Sequence, residues 1–265
     1  MFSVLDHKKI RANNREESTS KTAIMVESRN IQEFPSLGSV GLSLRKPIKG
    51  VEYNMVKKYV KLQILSTNPE ESKAVFLEPQ IDSGFPDIVI VYFASEIAKK
   101  WSPERKKLNK LDWRILHWMV SERIIETTKM KTIFPNDLSK SLQRLMDAEL
   151  IDYKGDTWEA KPVEEIFAIQ RLIAIEAKVK NWQEGLQQAF QNTWFASESY
   201  LLLPEVRNTN ELIQKATRFG VGLLTTECSL AQPKLSPQVT KLPKSYVSWL
   251  FNEWAWRASF DIRCL

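Results

Sequence analysis

Two hydrophobic runs constrain this chain more than any other feature. Ile88-Val89-Ile90-Val91-Tyr92-Phe93 and Arg171-Leu172-Ile173-Ala174-Ile175-Glu176-Ala177-Lys178-Val179 are dense in β-branched and aromatic residues. Such residues pack well on a pleated surface and would leave too much apolar area exposed on a solvent-facing helix. Each run reads as a buried central strand of a sheet covered by helices. The second run, however, carries charge. Residues i and i+2 of a strand share a face, so Glu176 and Lys178 point one way while Ile175 and Ala177 enter the opposite layer. A carboxylate and an ammonium amid apolar neighbours need a reason, because charged side chains are rarely buried unless paired or bound to metal. An intrastrand ion pair on a solvated edge is the plainer account.

The remaining pattern alternates around these runs. Val51, Met55, Val56, Tyr59 and Leu62 recur near a period of 3.6 and predict an amphipathic helix, and Ala74–Leu77 predicts a short strand. After the second run the sequence predicts a helix from about Trp182 to Trp194, a strand over Ser199–Leu203, a helix over Asn210–Phe219 stopped by Gly220, and a strand over 221–226. A proline-interrupted connector from Pro233 to Pro243 leads to an aromatic helix in SYVSWLFNEWAWR.

Between the two runs the composition changes. Lys99–Lys110 carries six positive charges and one negative. Leu111, Ile115, Trp118 and Met119 then share a helical face, and RIIETTKMK predicts a second short helix. A third starts at Pro135 with Leu138, Leu142, Leu145 and Met146 inward, and Leu150–Ala160 reads as two strands about a Lys-Gly-Asp turn. Three helices followed by a hairpin is the order of a winged helix. The expected organisation is therefore a polar N-terminal arm over 1–30, a discontinuous α/β core over 31–98 and 162–265, and an inserted winged helix-turn-helix domain over 99–161 with a basic leading segment.

Composition narrows the chemistry. At 265 residues the chain suits two units of ordinary size. A formal charge of +6 favours phosphate-rich partners mildly. Two histidines and two cysteines argue against His-based zinc hydrolases, Ser-His-Asp triads and a disulfide scaffold. No apolar run approaches the ~18 residues that span a bilayer, so a cytoplasmic protein with no membrane partner is expected.

If Asp87, at the head of the first run, lies beside Glu176, the two carboxylates converge on a hard divalent cation. A neighbouring Lys178 can then orient a nucleophilic water, which is machinery for phosphodiester hydrolysis. At this point the sequence resembles the PD-(D/E)xK nuclease superfamily, the restriction-endonuclease-like fold. The residues that carry the resemblance are Pro86-Asp87 opening one strand, Glu176-x-Lys178 in the next, and the helix and strand that follow. The resemblance implies an αβββαβ core, a mixed sheet flanked by helices, and Mg²⁺-dependent nucleic-acid cleavage, with Mn²⁺ a substitute. It implies that Asp87, Glu176 and the backbone carbonyl of Ala177 ligate the metal and that Lys178 positions the water. WQEGLQQAFQ looks like the glutamine-bearing helix of several branches, which points to Gln188, with Gln187 open. Many branches add an acid from the first helix, for which Glu52 is the candidate and Glu33 and Glu78 stay open. Far more chain than a hairpin needs separates Asp87 from Glu176, and the winged-helix insertion accounts for it, provided its two ends return together.

In the inserted unit the helix from Pro135 would offer Ser139, Lys140, Gln143 and Arg144 to a DNA groove, although Asp137, Asp147 and Glu149 oppose this. Lys106, Lys107 and Lys110 of the basic run are the better phosphate contacts. The expectation is a metal-dependent DNA endonuclease, by family analogy in restriction, defence or mobile-element biology. RNA is also compatible with the site chemistry, and double-strand cleavage would call for a homodimer. A non-catalytic DNA-binding or partner-recruiting protein on the same scaffold is the alternative, with the winged helix as a protein-binding module.

Overall fold

The computed structural model describes residues 23–27, 30–34, 37–38, 40–46, 48, 50–65, 72–82, 84–205 and 210–263. Strands β1 (Ala23–Glu27) and β2 (Asn30–Phe34) form an antiparallel hairpin, followed by the short β3 (Ser43–Leu44). Helix α1 (Val51–Tyr59) runs into a π-helical segment, Val60–Leu65. Next come β4 (Lys73–Leu77), β5 (Pro79–Gln80) and β6 (Ile88–Phe93). The chain then forms α2 (Ser95–Ala98), a 3₁₀ turn over Pro103–Lys107, α3 (Lys110–Glu122), β7 (Ile124–Glu126), α4 (Thr127–Ile133), α5 (Leu138–Asp147), the hairpin β8 (Ile151–Lys154) and β9 (Thr157–Ala160), and α6 (Val163–Ile166). It closes with β10 (Ile169–Ala177), α7 (Trp182–Asn192), β11 (Glu198–Leu203), α8 (Asn210–Phe219), β12 (Gly222–Thr225) and α9 (Tyr246–Arg263). No helix among the described residues is long and apolar enough to cross a membrane.

The architecture is mixed α/β. A seven-stranded mixed sheet runs in the order β12-β11-β10-β6-β4-β1-β2, parallel at β10–β11 and β11–β12 and antiparallel elsewhere. The two hydrophobic runs are adjacent central strands, β6 and β10, with Ile88 opposite Ile175. Alternation sorts their side chains. Ile88, Ile90, Ile173 and Ile175 join Met55, Val56 and Tyr59 of α1 on one face, while Val89, Val91, Leu172 and Ala174 face a core that includes α9. Leu186 and Ala189 of α7 pack with Leu201 and Leu223 on that second face, beyond β10.

The segment between β6 and β10 is a long excursion whose ends meet: the Ala94 N–H donates to the Ala168 carbonyl at 2.9 Å. Within it β7, β9 and β8 form an antiparallel sheet against three helices. Its core is continuous with that of the large sheet, because Trp113, Ile115 and Met119 of α3 belong to the same cluster as Trp249 and Phe251 of α9. A buried ion pair fastens the joint. Arg105, which the basic run hides as one charge among six, is 1% exposed, pairs with Glu253 and lies 3.7 Å over the Trp101 ring.

Several expectations need correction. Residues 1–22 of the predicted arm lie outside the described residues, but Ala23–Glu27 is no arm: it is β1, paired on both sides by β2 and β4. Val51 and Leu62 were expected inward on the first helix, yet both are exposed: Val51 is the first residue of α1, and at Leu62 the π-helical turns move the buried face onto Val60 and Ile64. The start of RIIETTKMK is a strand rather than helix, since Ile124–Glu126 pairs with β9 and the helix begins only at Thr127. On α3 the buried face holds Trp113 and Leu116 where Leu111 and Trp118 were expected.

Candidate active site

Asp87 stands immediately before β6, Glu176 is the penultimate residue of β10, and Lys178 follows that strand. The β6–β10 register therefore brings Asp87 alongside Glu176. Asp87 Oδ2 accepts a 2.7 Å hydrogen bond from the Ala177 N–H, and its carboxyl stands near enough to that of Glu176 to disfavour a second charge there. Glu176 is only 5% exposed, and its Oε1 accepts from Asn192 Nδ2 at 2.8 Å. Burial pushes the Asp87 carboxyl up to about 6, with the charges of Glu78 and Glu52 adding to the rise and the Ala177 N–H and Lys178 opposing it. Glu176 is raised well above the usual carboxylate range, first by burial and then by Asp87, against Asn192 and Lys178. Two acids that resist ionisation side by side form a place where added positive charge is strongly favoured.

Lys178 is held by its surroundings. Its N–H donates to the Leu202 carbonyl at 3.0 Å, and its Nζ lies 4.0 Å from Glu184 Oε1. The stem passes so close to α7 that a Cβ on Gly185 would sit 2.5 Å from Lys178 Cγ and 2.8 Å from Leu201 Cδ1. Glycine at 185 is thus a condition of the close approach of helix and lysine. On the other face of the sheet Glu52 of α1 reaches over the strand end, where its Oε1 accepts from the Val179 N–H at 3.1 Å. Glu78, an open alternative for that acid, also reaches the site but is engaged by Arg45 at 2.6 Å. Glu33 is an exposed residue of edge strand β2.

These residues line one cavity of about 630 Å³ that includes Glu52, Glu78, Asp87, Glu176, Lys178, Gln188 and Asn192. Gln188 of α7 lines it with its Oε1 buried and without a hydrogen-bond partner among the described residues. Gln187 is exposed and does not line the cavity. Asn192, which the sequence reading missed, is the α7 residue that touches Glu176. It follows Gln188 by four residues and so shares its helix face, a signal that was present in the sequence.

The donor set fits a hard divalent cation. Mg²⁺ usually takes one or two carboxylates and keeps several waters. Asp87 and Glu176 supply that number in a site where burial disfavours their bare charge, and Gln188, whose Oε1 is buried without a hydrogen-bond partner among the described residues, lines the same cavity. Among the described residues no group of three His, Cys, Asp or Glu side chains forms an all-protein cage, so the pair would share its ion with water.

The proposed nucleic-acid contacts divide. Lys106 is exposed on the 3₁₀ turn. Lys107 pairs with Glu104 at 2.5 Å, Lys110 with Asp82 at 2.6 Å and Lys140 with Asp137 at 3.3 Å, while Gln143 donates to Asp147 at 2.7 Å. All four lie at the surface or partly so. Arg144 is different: Nε and Nη2 both donate to Asp112, at 2.9 and 2.7 Å, and Asp112 is fully buried. Its guanidinium braces α5 against α3 and does not extend toward a groove.

No protein-family model, curated protein or solved structure matches this chain.

Proposed function

We propose that the chain is a metal-dependent deoxyribonuclease of the PD-(D/E)xK kind. The observation that carries the reading is the convergence of Asp87 and Glu176 at the ends of paired strands, with Lys178 lining the same cavity. The order α1, β4, β6, β10, α7, β11 supports an αβββαβ core. The unit over 99–161 runs helix, strand, helix, helix, strand, strand, with sheet order β7-β9-β8, which supports a winged helix inserted between β6 and β10.

In this reading Asp87, Glu176 and the Ala177 carbonyl would hold Mg²⁺ or Mn²⁺. When bound, the cation offsets the charge that builds on the phosphate and makes a water more acidic. Lys178 orients the attacking water and stabilises the negative charge at phosphorus with its ammonium. The water oxygen bonds to phosphorus as the bond to the leaving sugar oxygen breaks, and the water's proton is released as that oxygen gains one. Asn192 holds Glu176 in place, and Glu52 ties α1 to the strand end. The α5 face is close to neutral because Lys140 and Gln143 each meet an aspartate, so α5 adds little electrostatic affinity. Lys106 of the leading segment, exposed on the 3₁₀ turn, carries that role.

The test is metal-linked melting. Mn²⁺ should raise the Tm of the wild type and not that of Asp87→Ala, and DNA cleavage should require the metal and Lys178. Absence of any metal-linked shift would remove the reading and leave a non-catalytic scaffold.

A further inference from the structure

We propose that the cavity takes an unpaired DNA strand, with a base lifted out of its stack beside the scissile phosphate. This rests on the nuclease reading and adds a substrate class to it. Apolar side chains stand in water around the mouth of this cavity. Ile48, Val51 and Phe85 are 75%, 70% and 38% exposed, and all three line the mouth of the cavity that holds Asp87, Glu176 and Lys178. Tyr53, half-buried, lines it too. The aromatic rings lie next to the polar groups in sequence: Tyr53 follows Glu52, and Phe85 precedes Asp87 by two residues. Arg45 spreads its guanidinium 4.5 Å over the Phe85 ring while its ion pair with Glu78 fixes it in place.

A duplex presents sugars and phosphates outward and keeps its base faces stacked inside. Against such a surface an apolar wall would desolvate charge without return. An unstacked base has a π face to cover, and aromatic side chains backed by arginine cover it whatever the sequence. Polar chemistry in the floor and an aromatic rim at the mouth match a single strand whose phosphate enters and whose base stacks on the rim.

The experiment compares initial rates on one end-labelled DNA sequence in Mg²⁺, supplied as a single strand, as a blunt duplex and as a duplex with an unpaired bubble. The wild type should cut the single strand and the bubble at least ~10-fold faster than the blunt duplex. Phe85→Ala and Tyr53→Ala should each lower the ratio of single-strand to duplex rate by roughly 5- to 100-fold, the range that loss of one stacking contact spans. Phe85→Trp should restore the ratio. Phe190→Ala, an exposed aromatic on α7 outside the cavity, controls for lost surface area and should leave the ratio unchanged. Equal rates on all three substrates with unchanged ratios in the variants would overturn the proposal while leaving the nuclease intact. Failure of the wild type to cut any substrate would overturn both.

Discussion

The Ala177 backbone N–H donates to Asp87 Oδ2 at 2.7 Å, so the residue that leads into one central strand is tied to the last residue of its neighbour. That bond lowers the cost of burying the Asp87 carboxylate without removing it, and the folded acid holds its proton up to about pH 6 against an ordinary value of 3.8. Between those values the folded state binds more protons than the unfolded state, so stability falls as pH rises through this window. Above it the charged pair opposes folding. In metal-free buffer Asp87→Asn, whose amide oxygen can still accept from Ala177, should therefore be more stable than wild type by about 1–3 kcal/mol at pH 7.5. The gain should vanish near pH 4. Urea unfolding with EDTA at the two pH values checks this, and destabilisation at pH 7.5 would contradict it.

A divalent cation should reverse that order. At a hundredfold excess over its dissociation constant, Mn²⁺ should stabilise the wild type by about 2.7 kcal/mol and raise its Tm. Asp87→Asn and Glu176→Gln should show little of the shift. Because protons compete for the same oxygens, the wild-type shift should shrink as pH falls below about 6. Differential scanning calorimetry across a pH series reads this directly.

Gly185→Ala should act through Lys178. The added methyl would lie within 2.5 Å of Lys178 Cγ and 2.8 Å of Leu201 Cδ1, so the lysine stem must move. The expected result is a fall in kcat of tenfold or more at nearly unchanged KM, with a stability loss of about 1–3 kcal/mol, as overpacking gives. Full activity would show that the lysine tolerates displacement.

Arg144 should matter for stability rather than DNA affinity. Arg144→Ala leaves the buried Asp112 carboxylate without its bidentate partner, a loss of about 3 kcal/mol by analogy with other broken buried pairs. Lys106→Ala should instead leave stability nearly unchanged and weaken DNA binding, with a salt dependence shallower by about one unit of slope. Chemical denaturation and salt-titrated anisotropy separate the two.

The central strands and the residues that converge between them were legible because burial on both faces leaves a run of apolar residues that few other structures tolerate. Asp87, Glu176 and Lys178 interrupted or bounded those runs, and the register brings them together. Glu52 was legible as an acid on the first helix, and only the tertiary packing shows that Glu52 and Glu78 line the cavity and Glu33 does not. Asn192 and Gly185 were not singled out, because an amide and a glycine on an amphipathic helix look ordinary until the strand beside them is known. Arg144 and Arg105 misled for the same reason: a surface charge and a buried brace are identical in sequence, and only Asp112 and Glu253 distinguish them. β1 and β7 escaped because the strands that pair with them, β4 and β9, are distant in the chain.

The most direct test of the account is DNA cleavage in Mg²⁺ and in Mn²⁺ by the wild type, Lys178→Ala and Glu176→Gln, at matched folding by circular dichroism. The account expects metal-dependent cleavage by the wild type, abolished by EDTA and reduced by at least ~100-fold in both variants. Intact DNA in every lane, or equal cleavage by wild type and Lys178→Ala, would contradict it.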